Sequence, residues 1–289
     1  MQVHAMNILN KSDREFDFTN EDFTRARKLI YQHAGIALAE TKAELVYGRL
    51  SRILRSQEIR SFKEYLDSLM GTDNQRALEE FINALTTNLT SFFRENHHFP
   101  ILAEHLASLN VPITIWCCAA STGEEPYSIA MTACEVFKTI TPPVKIIATD
   151  IDTNVLLQAE SGIFSSHRIS KLSEDRREQF FLRGTGKQEG FVKIRQELRN
   201  LVSYQHLNLL NPRWPLHNAF DAIFCRNVMI YFDKTTQTKI LHQFLPLMKP
   251  HALIFFGHSE NFMYQSEDLK LCGKTVYKLK QQANTHHAL

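Results

Sequence analysis

Apolar residues recur at helical spacing between positions 19 and 88, and from Val111 onward they gather into short β-rich runs separated by helical stretches. In the first half, Phe23, Ala26 and Ile30 form one stripe, and Gly35 stands where a helix would stop. Ser61 and Glu64 have capping-box spacing ahead of Tyr65, Leu66 and Leu69. A helix from about Thr41 to Ser56 places Val46, Leu50, Ile53 and Leu54 within one arc and Lys42, Arg49, Arg52 and Arg55 within the neighbouring one.

The second half alternates differently. PITIWCC (112–118) is followed by a helical stretch from Glu125 to Phe137, VKIIATD (144–150) and a helix near Asn154. FDAIFC (220–225), a helix from Thr235 to Met248 with Pro250 helping to end it, ALIFFG (252–257) and TVYKL (275–279) continue the rhythm. Strand–helix–strand alternation predicts an α/β fold with a mostly parallel, doubly wound sheet. The turn-rich stretch Gly184 to Gly190, between FFLR and FVKIRQEL, predicts a small antiparallel insertion protruding from the sheet edge. The break between the two halves is expected near Gly71 to Gln75.

A length of 289 residues suggests about two domains. With 44% hydrophobic and 22% charged residues, disordered, collagen-like and disulfide-scaffold classes are set aside. Ten glycines are about half the average usage, so any nucleotide loop has to rely on other small residues. A net charge of +2 provides no broad field for a polyanion. Locally, Lys42 to Lys63 holds six basic residues against Glu44 and Glu58, which reads either as a solvated face or as a docking strip for an anionic partner. The five cysteines, Cys117, Cys118, Cys134, Cys225 and Cys272, lack CxxC spacing and are expected buried and reduced. His97 and His98 are adjacent, His286 and His287 lie in a polar tail, and no pair has the helical zinc spacing, so no metal is expected. The longest apolar stretch, near Ile113 to Ala120, falls far short of the roughly 18 residues of a membrane span, and no leader pattern stands at the N-terminus; the cytoplasm is the expected location.

In open α/β sheets ligands bind beyond the carboxyl ends of the strands. Here the first predicted strand runs into AASTGEEPYS, where Ala119, Ala120, Ser121 and Gly123 leave the backbone approachable. Asp150 ends the second strand, where a carboxylate can accept from both hydroxyls of a ribose. Asn208 with Leu209, and Arg226 with Asn227, end two further strand regions; asparagine suits adenine edges and amino-acid termini but also simply forms turns. Glu124 and Glu125 occupy the place where a dinucleotide enzyme needs its GxGxxG turn. Two carboxylates there would repel a diphosphate and accept the ammonium or sulfonium of S-adenosylmethionine. TTNLTSFFRE (86–95) reads as a capped helix end, yet Arg94 offers a two-pronged grip on a carboxylate.

TTNLTSFFRE, AASTGEEPYSIAM, TDID (149–152), RGTGKQEG (183–190), FCRNVMIYFDKTTQ and GHSEN (257–261) together resemble the motifs of chemotaxis receptor glutamate methyltransferases, the CheR type, over roughly residues 20 to 280. The resemblance implies a Rossmann-like S-adenosylmethionine methyltransferase sheet, a small all-α N-terminal domain and an inserted antiparallel β-subdomain. It divides the chain into a receptor-docking domain over 15–75, a linker contributing to the cofactor site over 76–95, and a methyltransferase domain over 96–280 with its insertion at about 165–200. It implies cofactor contacts from Asn88, Thr90, Arg94, Glu125, Asp150, Asn208, Leu209, Asn227 and Val228, and active-site roles for Arg94 and Tyr231. It also implies S-adenosyl-L-homocysteine as the product.

For partners, the resemblance implies chemotaxis receptors, gripped by the basic helix around Arg49, Arg52 and Arg55 and by strand addition of a C-terminal receptor peptide at the β-subdomain. That shifts the basic strip toward docking. Neither nucleic acid nor membrane insertion is expected, and a monomer is the default. WCCAAS departs from the family by placing Cys117 and Cys118 where small or hydroxylic residues are common, a change thiol packing tolerates. A nucleic-acid methyltransferase and a cofactor-binding regulator without turnover remain the alternatives.

Overall fold

The computed structural model describes residues 14–71, 74–217, 219–260 and 267–280, which fall into two compact units that divide between Leu85 and Thr86. Asn261 of GHSEN, the tail histidines His286 and His287 and part of the expected 71–75 break lie outside the described residues.

The first unit holds helices α1 (Asn20–Ala34), α2 (Ala43–Ser56), α3 (Phe62–Ser68) and α4 (Gln75–Leu85). Thr19 and Asp22 start α1 with a reciprocal capping box: the Asp22 N–H donates to Thr19 Oγ1 (3.1 Å) and the Thr19 N–H to the Asp22 carboxylate (2.9 Å). Gly35 ends it at φ 69°, the left-handed conformation that glycine adopts without strain. Ser61 caps α3 by accepting from the Glu64 N–H, but Glu64 turns its carboxylate to the Arg60 N–H, so only half of the expected box forms. Val46, Leu50, Ile53 and Leu54 are buried as one face of α2. The segment 76–95 is not a plain linker in structure, because Phe81, Ile82 and Leu85 bury an apolar face of α4 against α1 and α2.

The second unit begins with the irregular segment 86–97 and α5 (His98–Ala107). It then alternates β1 (Ile113–Cys117), α6 (Glu124–Phe137), β2 (Val144–Asp150) and α7 (Thr153–Ser161). Next come β3 (Ile163–Ser165), α8 (Glu174–Phe180), β4 (Phe181–Arg183), β5 (Phe191–Ile194) and α9 (Gln196–Arg199). The chain returns to the main sheet through β6 (Val202–His206), β7 (Phe220–Cys225), α10 (Lys234–Phe244), β8 (Met248–Phe256), β9 (Leu269–Gly273) and β10 (Val276–Leu279). The described residues form a seven-stranded sheet in the order β6-β2-β1-β7-β8-β10-β9, parallel from β6 through β8 and antiparallel at β10 and β9. β3, β5 and β4 make a separate antiparallel sheet, the expected insertion, whose first strand is Ile163–Ser165 beside the expected start at about 165 and whose β4 and β5 flank the 184–190 turn.

Two local expectations are corrected. α10 ends at Phe244, since Pro246 lies in a tight turn that redirects the chain, and Met248 already pairs with Phe220 as the first residue of β8. Pro250 consequently sits inside β8, where the register with β7 shifts. Cys272 is exposed because β9 is an edge strand with an outward face, whereas Cys117, Cys118, Cys134 and Cys225 are buried; all five are free thiols.

Candidate active site

The residues marked out at the strand ends converge because β6, β2, β1 and β7 lie side by side and point the same way. Beyond β1 the loop runs between its neighbours: the Cys118 N–H donates to the Phe224 carbonyl (2.9 Å) and the Ala120 N–H to the Thr149 carbonyl (3.0 Å). Ser121 is then held at φ 48° and Gly123 at φ 101°. A Cβ at Gly123 would meet Ala159 Cβ at 2.9 Å, so the single glycine of this loop stands where α6 and α7 approach most closely.

Asp150 ends β2 with its carboxylate buried. It accepts from the Ser121 N–H (2.8 Å) on one oxygen and the Asp152 N–H (3.0 Å) on the other, and the Ile151 N–H bonds it as well. Burial raises its pKa to about 6 despite these bonds. Asp152 caps α7 through the Asn154 N–H (3.0 Å) and accepts from the Thr86 hydroxyl (2.8 Å) and the Asn88 amide (2.7 Å). The Asn88 carbonyl accepts the Ser121 hydroxyl (3.0 Å). Asn88 therefore stitches segment 86–95 to the loop beyond β1, and Thr90 is half-buried two residues further on.

On the other side, Arg226 is the junction. Its Nη1 donates to Glu125 Oε2 (2.7 Å), its Nη2 donates to the main-chain carbonyl of Arg94, and Glu95 Oε2 lies 3.5 Å from it. Burial raises the Glu125 pKa, and the Arg226 charge works against that rise. For Glu95, burial also acts upward but is outweighed by the His258 N–H, the Asn227 amide and Arg226, so its pKa falls. Arg94 is half-buried and donates from Nη1 to the Leu89 carbonyl (2.8 Å), which folds segment 89–94 into a turn.

Asn227 adopts φ 58°, and its amide donates to Glu95 Oε1 (3.1 Å). The buried carboxylate of Glu260 accepts from the N–H groups of Asn227 (2.8 Å), Ile230 (3.2 Å) and Gly257 (2.5 Å), fixing the loop that carries Asn227, Val228 and Tyr231. A Cβ at Gly257 would lie 2.4 Å from the Asn227 amide nitrogen. Beyond β6, the Leu207 N–H donates to the Asp150 carbonyl (2.9 Å). Asn208 Oδ1 accepts from the Leu210 N–H (2.9 Å), the turn-forming alternative anticipated for it, and Leu209 is buried among Ile147, Leu207 and Trp214.

The charge argument built on Glu124 and Glu125 is altered by the structure. Glu124 is turned away to Arg168 in the insertion and to the Thr122 hydroxyl (2.6 Å), and Glu125 is matched by Arg226. Neither carboxylate is an uncompensated charge. Arg226, Glu95, Asp152 and Glu260 carry no assigned role in the sequence reading, although each lies inside a motif singled out there. Arg226 and Asp152 are marked by standing just past β7 and β2, whereas Glu95 and Glu260 lie away from any strand end and carry no such signal.

In the first unit, Arg52 and Arg55 are exposed on α2, and Arg55 is paired with Glu15. Arg49 is half-buried and donates to the Ala84 carbonyl (3.3 Å), so it is the least available of the three.

Two family models cover nearly the whole of this arrangement: the CheR methyltransferase all-alpha domain over residues 21–86 and the CheR methyltransferase SAM binding domain over residues 88–278. The chain belongs to the CheR methyltransferase family. It is a methyltransferase that uses S-adenosylmethionine, on a Rossmann-like sheet with an all-α N-terminal domain and an inserted β-subdomain. Similar relatives are chemotaxis protein methyltransferase 2 of Pseudomonas aeruginosa, 49% identical over 92% of this chain and 95% of that one, and the chemotaxis protein methyltransferase of Salmonella typhimurium, 48% identical over 95% of each. The Klebsiella aerogenes protein is 52% identical over 90% of each chain. The expected boundary near 71–75 stands beside a family boundary at 86–88 and a structural one at 85–86. No described helix is long and apolar enough to cross a membrane.

Proposed function

We propose that the crevice above β6, β2, β1 and β7 holds S-adenosylmethionine and sets its methyl group against a glutamate side chain of a chemotaxis receptor. The chain is an S-adenosylmethionine-dependent protein-glutamate O-methyltransferase, and S-adenosylhomocysteine and a glutamate methyl ester are its products. The observation that carries the site assignment is Asp150, a buried carboxylate held by main-chain N–H groups at the carboxyl end of β2, where open α/β sheets bind the ribose of a nucleoside.

The residues present fit this cofactor. Asp150 accepts from the ribose; Glu125, ion-paired with Arg226, faces the amino-acid end. Asn208, Leu209, Asn227 and Val228 border the adenosine, and Asn88 and Thr90 close the side formed by segment 86–95. When bound, S-adenosylmethionine supplies an electrophilic methyl on a positively charged sulfur. A glutamate carboxylate, with an ordinary pKa near 4.3, is already an anionic nucleophile at neutral pH and requires no general base. The chain's task is placement and exclusion of water. Arg94 orients the incoming carboxylate with a planar pair of donors, and Tyr231 hydrogen-bonds it or shapes the wall beside it.

Receptor docking is assigned to the exposed basic face of α2 at Arg52 and Arg55, with Arg49 at its inner margin, against an anionic helical surface. The insertion offers a second grip. Its edge strand β4 can take an extended receptor tail as an added strand beside RGTGKQEG, as edge strands do for peptides. The chain acts as a monomer on the cytoplasmic side of the receptors. Tritiated S-adenosylmethionine, incubated with the chain and chemoreceptor membranes, tests the reading: alkali-labile label released as methanol is expected. Label that resists alkali, or that appears on nucleic acid, refutes it.

A further inference from the structure

The turn between segment 86–95 and α5 places Glu95, His97 and His98 so that one ligand atom from each lies within 4.8 Å of the other two. The His98 side chain is fully enclosed, and its Nε2 is 3.0 Å from the Lys274 carbonyl. A carbonyl only accepts, so Nε2 carries the proton and Nδ1 of the neutral ring is a bare lone pair. That lone pair faces Glu95 Oε2 at 3.8 Å, a second acceptor, and neither atom has a hydrogen-bond partner. His97 Nε2, also buried, is a third atom without one. Arg226 Nη2, 3.5 Å from Glu95 Oε2, offsets part of that carboxylate's charge, but the two buried ring nitrogens beside it have no hydrogen-bond partner, an unfavourable arrangement unless something electron-poor sits between them.

We propose that Glu95, His97 and His98 form a binding site for a divalent transition-metal ion of the zinc type, adjoining the methyl-transfer crevice through Glu95. Two imidazoles and one carboxylate suit a borderline-soft ion; magnesium and calcium favour oxygen-only shells. Bonds of about 2.0–2.1 Å at tetrahedral angles separate two ligand atoms by about 3.3 Å, so the His98–Glu95 pair at 3.8 Å is near that spacing and the cluster, spread over at most 4.8 Å, has to draw inward around the ion. The supporting bonds have the form that metal sites use. The second nitrogen of His98 donates to a carbonyl, and Glu95 Oε1 is held by the Asn227 amide (3.1 Å) and the His258 N–H (3.1 Å). His97 is half-exposed and leaves an entry path and a fourth position for water. Two cations oppose the ion: Arg226, which Glu125 neutralises, and Lys274, whose charge acts on His97.

Equilibrium dialysis of the full chain against zinc, buffered by a competing chelator, is the test, with His97→Ala beside it to subtract zinc taken up anywhere else on the chain. The wild type is expected to hold one zinc ion per chain more than His97→Ala and to melt at a higher temperature with zinc, a shift the variant lacks. Cobalt is expected to give visible absorption bands with the wild type alone, and magnesium no shift in melting. Equal zinc content in the two proteins overturns the proposal and leaves a water, or the His97 N–H, bridging the gap. Should His97→Ala fail to fold, Glu95→Gln replaces it, and unchanged zinc content there is equally fatal.

Discussion

The helical unit and the strand-end crevice handle charge in opposite ways. In the first unit, Arg14–Glu44, Arg25–Asp67, Arg27–Glu40 and Arg55–Glu15 each keep at least one partner well exposed to water, while the interior is almost wholly apolar. At the strand ends, Arg226 and Glu125 have side chains only 1% and 9% exposed, and Glu124, Asp150, Asp152 and Glu260 are buried as well. Exposed pairs contribute little to stability, whereas buried ones carry a desolvation cost that their partners must offset. The first arrangement leaves charge free to meet another molecule. The second fixes charge in advance, at a cost in stability, at the rim proposed here as the cofactor site.

Removing a charge from each region is the direct way to break this contrast. Arg226→Ala leaves Glu125 unpaired and releases the Arg94 carbonyl; a loss of about 3–5 kcal/mol is expected in denaturant unfolding. Adding Glu125→Gln should recover part of it, and an unchanged single variant would show that the pair is not buried in solution. Next in size is Asp150. Its free pKa is raised to about 6, so the hydroxyl-accepting carboxylate is complete above that pH and is lost as pH falls through it. Calorimetric affinity for S-adenosylhomocysteine should weaken by up to about tenfold per pH unit below 6. Asp150→Asn should bind poorly throughout, with no inflection there; a variant that keeps the inflection moves the titration to another group.

Arg94→Ala is expected to lower receptor methylation at least about tenfold, equal to roughly 1.4 kcal/mol of transition-state stabilisation, without loss of fold. Near-normal turnover would remove Arg94 from the mechanism. The smallest effect belongs to the first unit. Arg52→Glu with Arg55→Glu should slow receptor methylation by up to about tenfold at low salt and less at high salt, with melting unchanged. A defect independent of salt would signal misfolding instead.

Much of this was legible beforehand where the determinants are local. Gly35 and Ser61 act within a few residues of their own helices, and the apolar runs that became β1, β2, β7 and β8 are short stretches with strong strand preference. The errors have equally specific causes. The stretch around Leu245 to Met248 reads as a continuing helix because its apolar spacing is ambiguous, and only the pairing of Met248 with Phe220 makes it a strand. Glu124 and Glu125 are neighbours in sequence, yet one turns to Arg168 and the other to Arg226. Charge counted along the chain therefore misjudged the charge in the crevice.

The amino-acid sequence by itself determined the type of the main helices and of the central strands β1, β2, β7 and β8 and the polar residues set just past them, because periodicity, caps and turn residues act over a few positions. The tertiary structure alone decided which of those polar residues meet. Glu125 and Arg226 are 101 positions apart, and Asn88 and Asp152 are 64 apart. Their contacts exist because parallel pairing brings the ends of β6, β2, β1 and β7 to one rim, where a buried charge is tolerated only beside the partner that the sheet order supplies.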